Sequence, residues 1–490
     1  NGGIIGPDNV PTGAFGSASG VWSLSDVTNY KKQGTWPVPL TGHQVANSCR
    51  FNDGSSDYLN RTPSSQGNLQ ISTFSFWVKR SSLGEQIILC TGDPDVAGSL
   101  FEIYFDGGDR LHIETASPSL VTNRLFRDLS AWYHIVVSND NSVSSPETEI
   151  YVNGVKETSF STTNEYSQNE TNSFNNDYPN YIGQTGASSQ YFDGLMSHIH
   201  FIDGTALTPT SFGEFDSNGV WIPKPSPSVT YGTNGFFLKM DNSGNMGLDS
   251  SGNSNNFTTS GTITQAKDTP SNVFATLNPL ATSTTSGSFS NGNTTHAKSN
   301  STWASTTSTL AASSGKYYAE YKFTVNSSSS NGQMAAIVNM DLTNYMNENS
   351  DLEQNGNKGI TYYANGTVFA DNQQTVATYG SYTNNIIQIA MDLDNGFLYF
   401  GKDGVWQNSA NPASGATGTG GINISNYLGT GTFAFGLANR NTGSTSVNFG
   451  NGYFGTTAVS SAGTNASGNG IFEYDVPTGY TALSTKGLDS

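Results

Sequence analysis

Short runs of Phe, Tyr, Val, Ile and Thr alternate along this chain with clusters of Gly, Asn, Asp and Ser, and helical periodicity is almost absent. The pattern predicts many strands joined by turns. Clear examples are Thr73-Phe74-Ser75-Phe76-Trp77-Val78, Trp132-Tyr133-His134-Ile135-Val136-Val137 and Glu149-Ile150-Tyr151-Val152. The last runs into Asn153-Gly154, whose residues tolerate the positive φ of a tight hairpin. The second half repeats the habit in Gly315–Tyr321 and Ile386–Leu393, the latter followed by Asp394-Asn395-Gly396. One helical turn is predicted, over Thr208–Phe212, with Pro209 near its start. The predicted fold class is all-β, with two tandem antiparallel β-sandwich domains and an N-terminal extended arm.

Residues 1–45 form that arm: Gly-rich, lacking a long alternating strand, yet carrying Trp22, Tyr30 and Trp36. These rings need an apolar surface, on a neighbouring subunit or on the arm's own first domain. The first sandwich is expected over 46–222, a Pro- then Gly/Asn/Ser-rich bridge over 223–270, and the second sandwich over 271–490. Residues 281–314 are dense in Ser and Thr, but Phe289, Trp303 and Leu310 punctuate them, so they are assigned to the second sandwich instead of a flexible linker.

At 490 residues two domains are expected. Only 34% of residues are apolar, but 27 Phe, 23 Tyr and 7 Trp supply large core side chains. A charge of −18, from 38 acidic and 20 basic residues, argues against a nucleic-acid partner, which needs clustered cations. No apolar run reaches the roughly 18 residues of a membrane span, so membrane insertion is not expected. Cys49 and Cys90 each lie two positions from an apolar neighbour, Phe51 and Ile88, and are expected as buried thiols, with a bridge left open.

The first domain resembles the laminin-G/concanavalin-A-like jelly-roll family, in the version common in structural proteins of marine tailed phages. The resemblance rests on the order of Phe51-Asn52-Asp53-Gly54, Phe74-Ser75-Phe76-Trp77-Val78-Lys79-Arg80, Ala131-Trp132-Tyr133-His134, Tyr151-Val152-Asn153-Gly154, Tyr191-Phe192-Asp193-Gly194 and Phe201-Ile202-Asp203-Gly204-Thr205 through Pro209. The second domain looks like a SPRY-type sandwich, through Gly315-Lys316-Tyr317-Tyr318, Asp392-Leu393-Asp394-Asn395-Gly396, Gly401-Lys402-Asp403-Gly404-Val405-Trp406 and Val476-Pro477-Thr478-Gly479-Tyr480. The resemblance implies a virion-surface appendage, such as a tail or head fibre. Its expected partners are other virion subunits and a host-surface glycan or protein, and it is expected as a homo-oligomer, trimeric by analogy with fibres. A decoration protein touching only virion subunits is the alternative.

Some jelly-rolls of this family hydrolyse glycans with a Glu-x-Asp-x-x-Glu strand. Here Glu214-Phe215-Asp216 meets Gly219 at the last position, and Glu473-Tyr474-Asp475 meets Thr478. A non-enzymatic protein is therefore expected, with a polysaccharide-degrading enzyme as the other reading. The resemblance also allows one calcium ion in the first domain, for which Asp93 with Asp95, then Asp53 with Asp57, are the candidate ligands. His198 and His200, flanking Ile199, would share one strand face, as an ordinary polar face or a metal pair. For glycan stacking, Tyr166, Tyr178, Tyr191, Tyr345, Tyr362 and Tyr363 lie in or beside polar, Asn-rich segments and are the candidates.

Overall fold

A computed structural model describes residues 44–92, 100–114, 119–186, 190–216, 219–282, 287–324, 332–342, 351–354, 356 and 358–488. The arm with Trp22, Tyr30 and Trp36, the Asp93 and Asp95 pair, and Tyr345 all lie outside these residues.

Two antiparallel β-sandwiches follow one another. In the first, sheet A runs Val155–Lys156, Thr148–Val152, Tyr133–Asp140, Ile71–Arg80, Gly194–Asp203, Ser48–Phe51, Thr264–Ala266, with Phe236–Leu238 also beside Gly194–Asp203. Sheet B runs Phe160–Asn164, Ser119–Leu125, Arg110–Glu114, Phe101–Phe105, Gln86–Thr91, Asn180–Ile182, Tyr58–Arg61, Thr258–Ser260. Alternate residues from both sheets meet between them, and aromatic rings dominate the filling. Phe74 packs edge-on to Phe174 at 4.2 Å and lies 4.8 Å from Phe201.

The expected bridge over 223–270 is corrected by the strand pairing. Phe236–Leu238 pairs with Gly194–Asp203, Thr258–Ser260 with Tyr58–Arg61, and Thr264–Ala266 with Ser48–Phe51. Phe236, Leu238, Met240, Met246 and Phe257 enter the first core. This segment therefore closes the first sandwich. Three-residue strands among Gly and Asn are too short to show alternation, which is why the sequence reads as a linker.

The predicted hairpin is present: Val152 pairs with Val155 around Asn153 and Gly154, both at positive φ. A Cβ on Gly154 would lie 2.3 Å from the Trp221 ring, so packing as well as turn geometry requires glycine there. The predicted turn near Pro209 is a 3-10 turn, Pro209–Ser211.

The second sandwich pairs sheet C, ordered Leu277–Thr282, Ala304–Ser308, Phe433–Asn439, Gln333–Asn339, Gly359–Tyr363, Thr367–Ala370, Gln374–Thr378, with sheet D. Sheet D is built around Ser444–Asn448, Lys316–Thr324, Ile386–Asp392 and Phe397–Lys402. The Ser/Thr-dense stretch contributes Ser288–Ser290, Thr295–Ala297 and Ala304–Ser308 to these sheets, as its apolar punctuation predicts. Contacts also join the sandwiches: Asn293 donates to the Ser81 carbonyl at 2.7 Å, and Asn52 to the Asn291 side-chain oxygen at 3.3 Å.

Candidate functional site

The outward face of sheet B carries a row of aromatic and ionisable side chains, most of them half-buried. In Phe101–Phe105 and Arg110–Glu114 the alternation is strict: Phe101, Ile103, Phe105, Leu111 and Ile113 enter the core. Glu102, Tyr104, Arg110, His112 and Glu114 are left on the opposite face. Register then aligns them across strands. Tyr181 stands opposite Cys90, Cys90 opposite Glu102, Glu102 opposite Glu114, and Tyr104 opposite His112.

Hydrogen bonds hold this face in order. The Tyr104 hydroxyl donates to Glu114 Oε2 at 2.5 Å, and the Tyr104 and His112 rings lie 4.6 Å apart, tilted by 32°. His112 Nε2 meets Asp106 Oδ2 at 2.9 Å, and Arg110 Nε donates to the same oxygen at 2.8 Å. Partial burial opposes ionisation of Asp106, yet the Arg110 backbone and side chain, His112 and the Gly108 amide together hold its carboxyl well below the usual range. Glu102 moves the other way: partial burial, helped by the Glu114 and Glu85 carboxylates, raises it. At the edge of the face Tyr58 meets Tyr181 edge-on at 6.2 Å, both half-buried. The result is a hydrated surface of aromatic faces and fixed acceptors, suited to a hydroxyl-rich ligand.

The residues singled out from sequence are placed differently. Tyr178 and Tyr191 are half-buried, in the turns before and after Asn180–Ile182. Tyr166 is buried at 4% exposure, and Tyr362 and Tyr363 at 0% and 4%, so their ring faces are not available for stacking. Tyr362 belongs to the second core and packs edge-on to Phe400 at 5.3 Å. Asp57 is buried, its two oxygens accepting the Asn52 and Thr262 amides at 3.0 and 2.5 Å, which commits it to holding turns together. Asp53 is exposed at the start of the turn Asp53–Ser55. Among the described residues no group of three or more His, Cys, Asp or Glu side chains is placed to hold a metal ion.

His198 and His200 do share the outer side of sheet A, across a bulge at which His198 takes φ +48°. Both are buried: His200 stacks on Phe237 at 4.0 Å and meets the Tyr231 hydroxyl at 3.0 Å, and His198 meets the Ser197 hydroxyl at 3.1 Å. Burial pushes His198 down to about 4 and His200 well below its ordinary value. His134 lies between Trp77 and Trp221, and Trp221 Nε1 donates to His134 Nδ1 at 2.9 Å. That bond places the imidazole proton on Nε2, which faces the Ser75 hydroxyl at 2.9 Å. These three imidazoles pack between sheet A and the Trp221, Tyr231 and Phe237 side chains.

The acids of the two near-catalytic motifs make local contacts. Glu473 accepts the Ser460 amide at 2.7 Å and Asp475 the Thr464 amide at 2.6 Å, while Glu214 faces Lys224 at 3.4 Å. The acids that sequence reading missed are Glu102 and Glu114. They lie twelve positions apart on two strands, and only a correct pairing register would have brought them together.

Residues 53–211 match the family model described as the concanavalin A-like lectin/glucanases superfamily, of laminin-G type. The match covers the heart of the first sandwich, including sheet B's acidic and aromatic face. Among curated protein sequences no match is found. Three solved structures are similar at low identity. The SPRY domain of human HERC1 is 12% identical over 35% of this chain and 96% of its own, with a TM-score of 0.27. A SAP-like pentraxin from Limulus polyphemus is 13% identical over 34% and 78%, with a TM-score of 0.27. A candidate carbohydrate-binding protein from Bacteroides ovatus is 18% identical over 51% and 66%, with a TM-score of 0.29. The fold rests on the strand order above; a concanavalin-like lectin fold fits a binding role.

Proposed function

We propose that this chain is a non-enzymatic binding protein of a virion surface, a tail or head fibre or similar appendage. In this reading it engages a host-surface glycan through the outward face of sheet B and assembles with other virion subunits as a homo-oligomer. The observation that carries the binding role is the aligned face of Tyr181, Glu102, Tyr104, His112 and Glu114, where aromatic rings adjoin fixed acceptors. The virion setting is supported by the ordered motifs of both sandwiches, which resemble those of marine phage structural proteins. In this reading the site lies on a sheet face, where strand pairing sets aromatic and acidic side chains side by side, and not in the loops.

A glycan array on the full chain tests this reading. Retained ligands should lose about fivefold in affinity, on the order of 1 kcal/mol, in Tyr104→Ala and Tyr181→Ala. Binding to no glycan, or identical binding by both variants, overturns it.

One observation favours hydrolysis as a second reading. Glu102 and Glu114 are direct cross-strand neighbours, a relation that sets Cβ atoms about 4.5–5.5 Å apart. Retaining glycosidases need carboxyl groups about 5–5.5 Å apart. Product release from a bound glycan, abolished in Glu102→Gln and Glu114→Gln, would establish the enzyme; binding without release retains the lectin.

A further inference from the structure

The outer side of sheet C is apolar, where the outer side of a sandwich is ordinarily polar. Met334, Ala336, Val338 and Ala438 line it, and Leu352 and Trp303 cover it. Leu352 belongs to a short segment, Asp351 to Gln354, laid across the strands, and the carboxylates flanking it are themselves buried, Asp351 at 2% and Glu353 at 0% exposure. Both reach one atom. Tyr363 Oη lies 2.7 Å from Asp351 Oδ2 and 2.7 Å from Glu353 Oε1.

A phenol carries one proton and can donate to one of these oxygens. If both carboxyls were ionised, the second contact would set oxygen lone pairs against each other at hydrogen-bonding distance in a buried site. A proton on the second carboxyl removes the conflict by donating to Tyr363 Oη. We propose that the strap Asp351 to Gln354 is fastened over sheet C by one carboxyl proton in the Asp351–Tyr363–Glu353 cluster, and that loss of this proton releases the strap and uncovers the apolar face.

The surrounding charges decide which carboxyl holds it. Burial raises both carboxyls. Asp351 is drawn back toward its ionised form by the Tyr363 hydroxyl, by Arg440, whose guanidinium lies 4.3 Å over the Trp303 ring, and by Gln354 Nε2, which donates to Asp351 Oδ2 at 2.5 Å. In the proposed cluster Asp351 is the ionised partner. Burial, then the Asp351 charge, push Glu353 up to about 7, with the Tyr363 and Thr361 hydroxyls pulling back more weakly. The neighbouring strand Gln333–Asn339 presents uncharged Met334, Ala336 and Val338, and strand Thr367–Ala370 presents Phe369. Beyond its end Asp371 is paired with Lys358. The strap's backbone is tied by the Asn372 amide, which donates to the Glu353 carbonyl at 2.7 Å. The strap is therefore closed below neutrality and opens as pH rises through the pKa of Glu353.

Hydrogen exchange on the full chain reads this directly. After correction for intrinsic chemistry, the Asn372 amide and the strap peptide should exchange at least about tenfold faster at about pH 8.5 than at about pH 5.5. Glu353→Gln, whose amide can donate to Tyr363 Oη without titrating, should stay protected at both. Infrared difference spectra supply a check independent of opening: burial also raises Asp193 and Glu320 to about 7, so the protonated-carboxyl band lost between acid and base should be weaker by one carboxyl in Glu353→Gln than in the wild-type protein. Protection that does not change with pH, equal acceleration in the variant, or a band of equal strength in the wild-type protein and Glu353→Gln overturns the proposal.

Discussion

Arg50 of the first sandwich donates through Nη2 to the Gly455 carbonyl of the second at 2.8 Å, across 405 positions of sequence. The guanidinium is buried, also reaches the Asn291 carbonyl at 3.4 Å, and lies 5.5 Å from the Tyr453 ring centre. Arg50 thus joins Asn52 and Asn293 in tying the two sandwiches together. Arg50→Met keeps the apolar stem but takes the guanidinium donor from the buried Gly455 carbonyl, at a cost of about 1–3 kcal/mol. Calorimetry should show the unfolding of the two sandwiches separating into two transitions, and one unchanged transition would refute the linkage.

Lys79 and Asp268 form a buried ion pair at 2.6 Å, and Trp132 Nε1 donates to the second Asp268 oxygen at 2.9 Å. Asp268→Ala leaves a buried ammonium without its partner, a loss of about 3–5 kcal/mol. Urea unfolding of the variant should show the midpoint shift; a loss within experimental error would mean that water reaches Lys79.

Buried histidines make the protein acid-sensitive. Burial pushes His134 and His296 down to about 3 and His198 to about 4, so in acid the unfolded chain binds protons that the folded chain does not. Their contribution to stability is complete above the unfolded value of about 6.5 and is lost as pH falls through the folded values. Proton NMR should find these imidazoles neutral at about pH 5, and a titration midpoint near the ordinary value would contradict their burial.

Cys49 and Cys90 are unbridged and fully buried. Burial, then the nearby Glu102 carboxylate, push the Cys90 thiol up to about 12, and burial raises Cys49 well above its ordinary value, so the thiolate is scarce at neutral pH. Thiol reagents should label neither cysteine in the native protein and both after denaturation. Rapid native labelling of Cys90 would show that sheet B opens at that point.

The candidate tyrosines show where sequence reading stops. Consecutive residues of a strand point to opposite faces, so Tyr362 and Tyr363 should divide between core and solvent. Both are buried, because Leu352 and Trp303 cover the outer side of sheet C. Nothing local to Tyr363 announces that cover. Likewise Tyr181 carries no stronger local signal than Tyr178, and what distinguishes it is its place opposite Cys90 in the row that continues to Glu102 and Glu114.

Strand alternation, the Asn153-Gly154 turn and the aromatic supply determined from the sequence alone that this is an all-β protein with two sandwich cores, since each is a local property of a few residues. Tertiary structure decided that residues 236–266 belong to the first sandwich and which polar side chains share a surface. Those outcomes depend on pairing register between strands far apart in the chain. A shift of one residue would turn Glu102, Tyr104, His112 and Glu114 into the core, and the burial of Phe101, Ile103, Phe105, Leu111 and Ile113 is what prevents it.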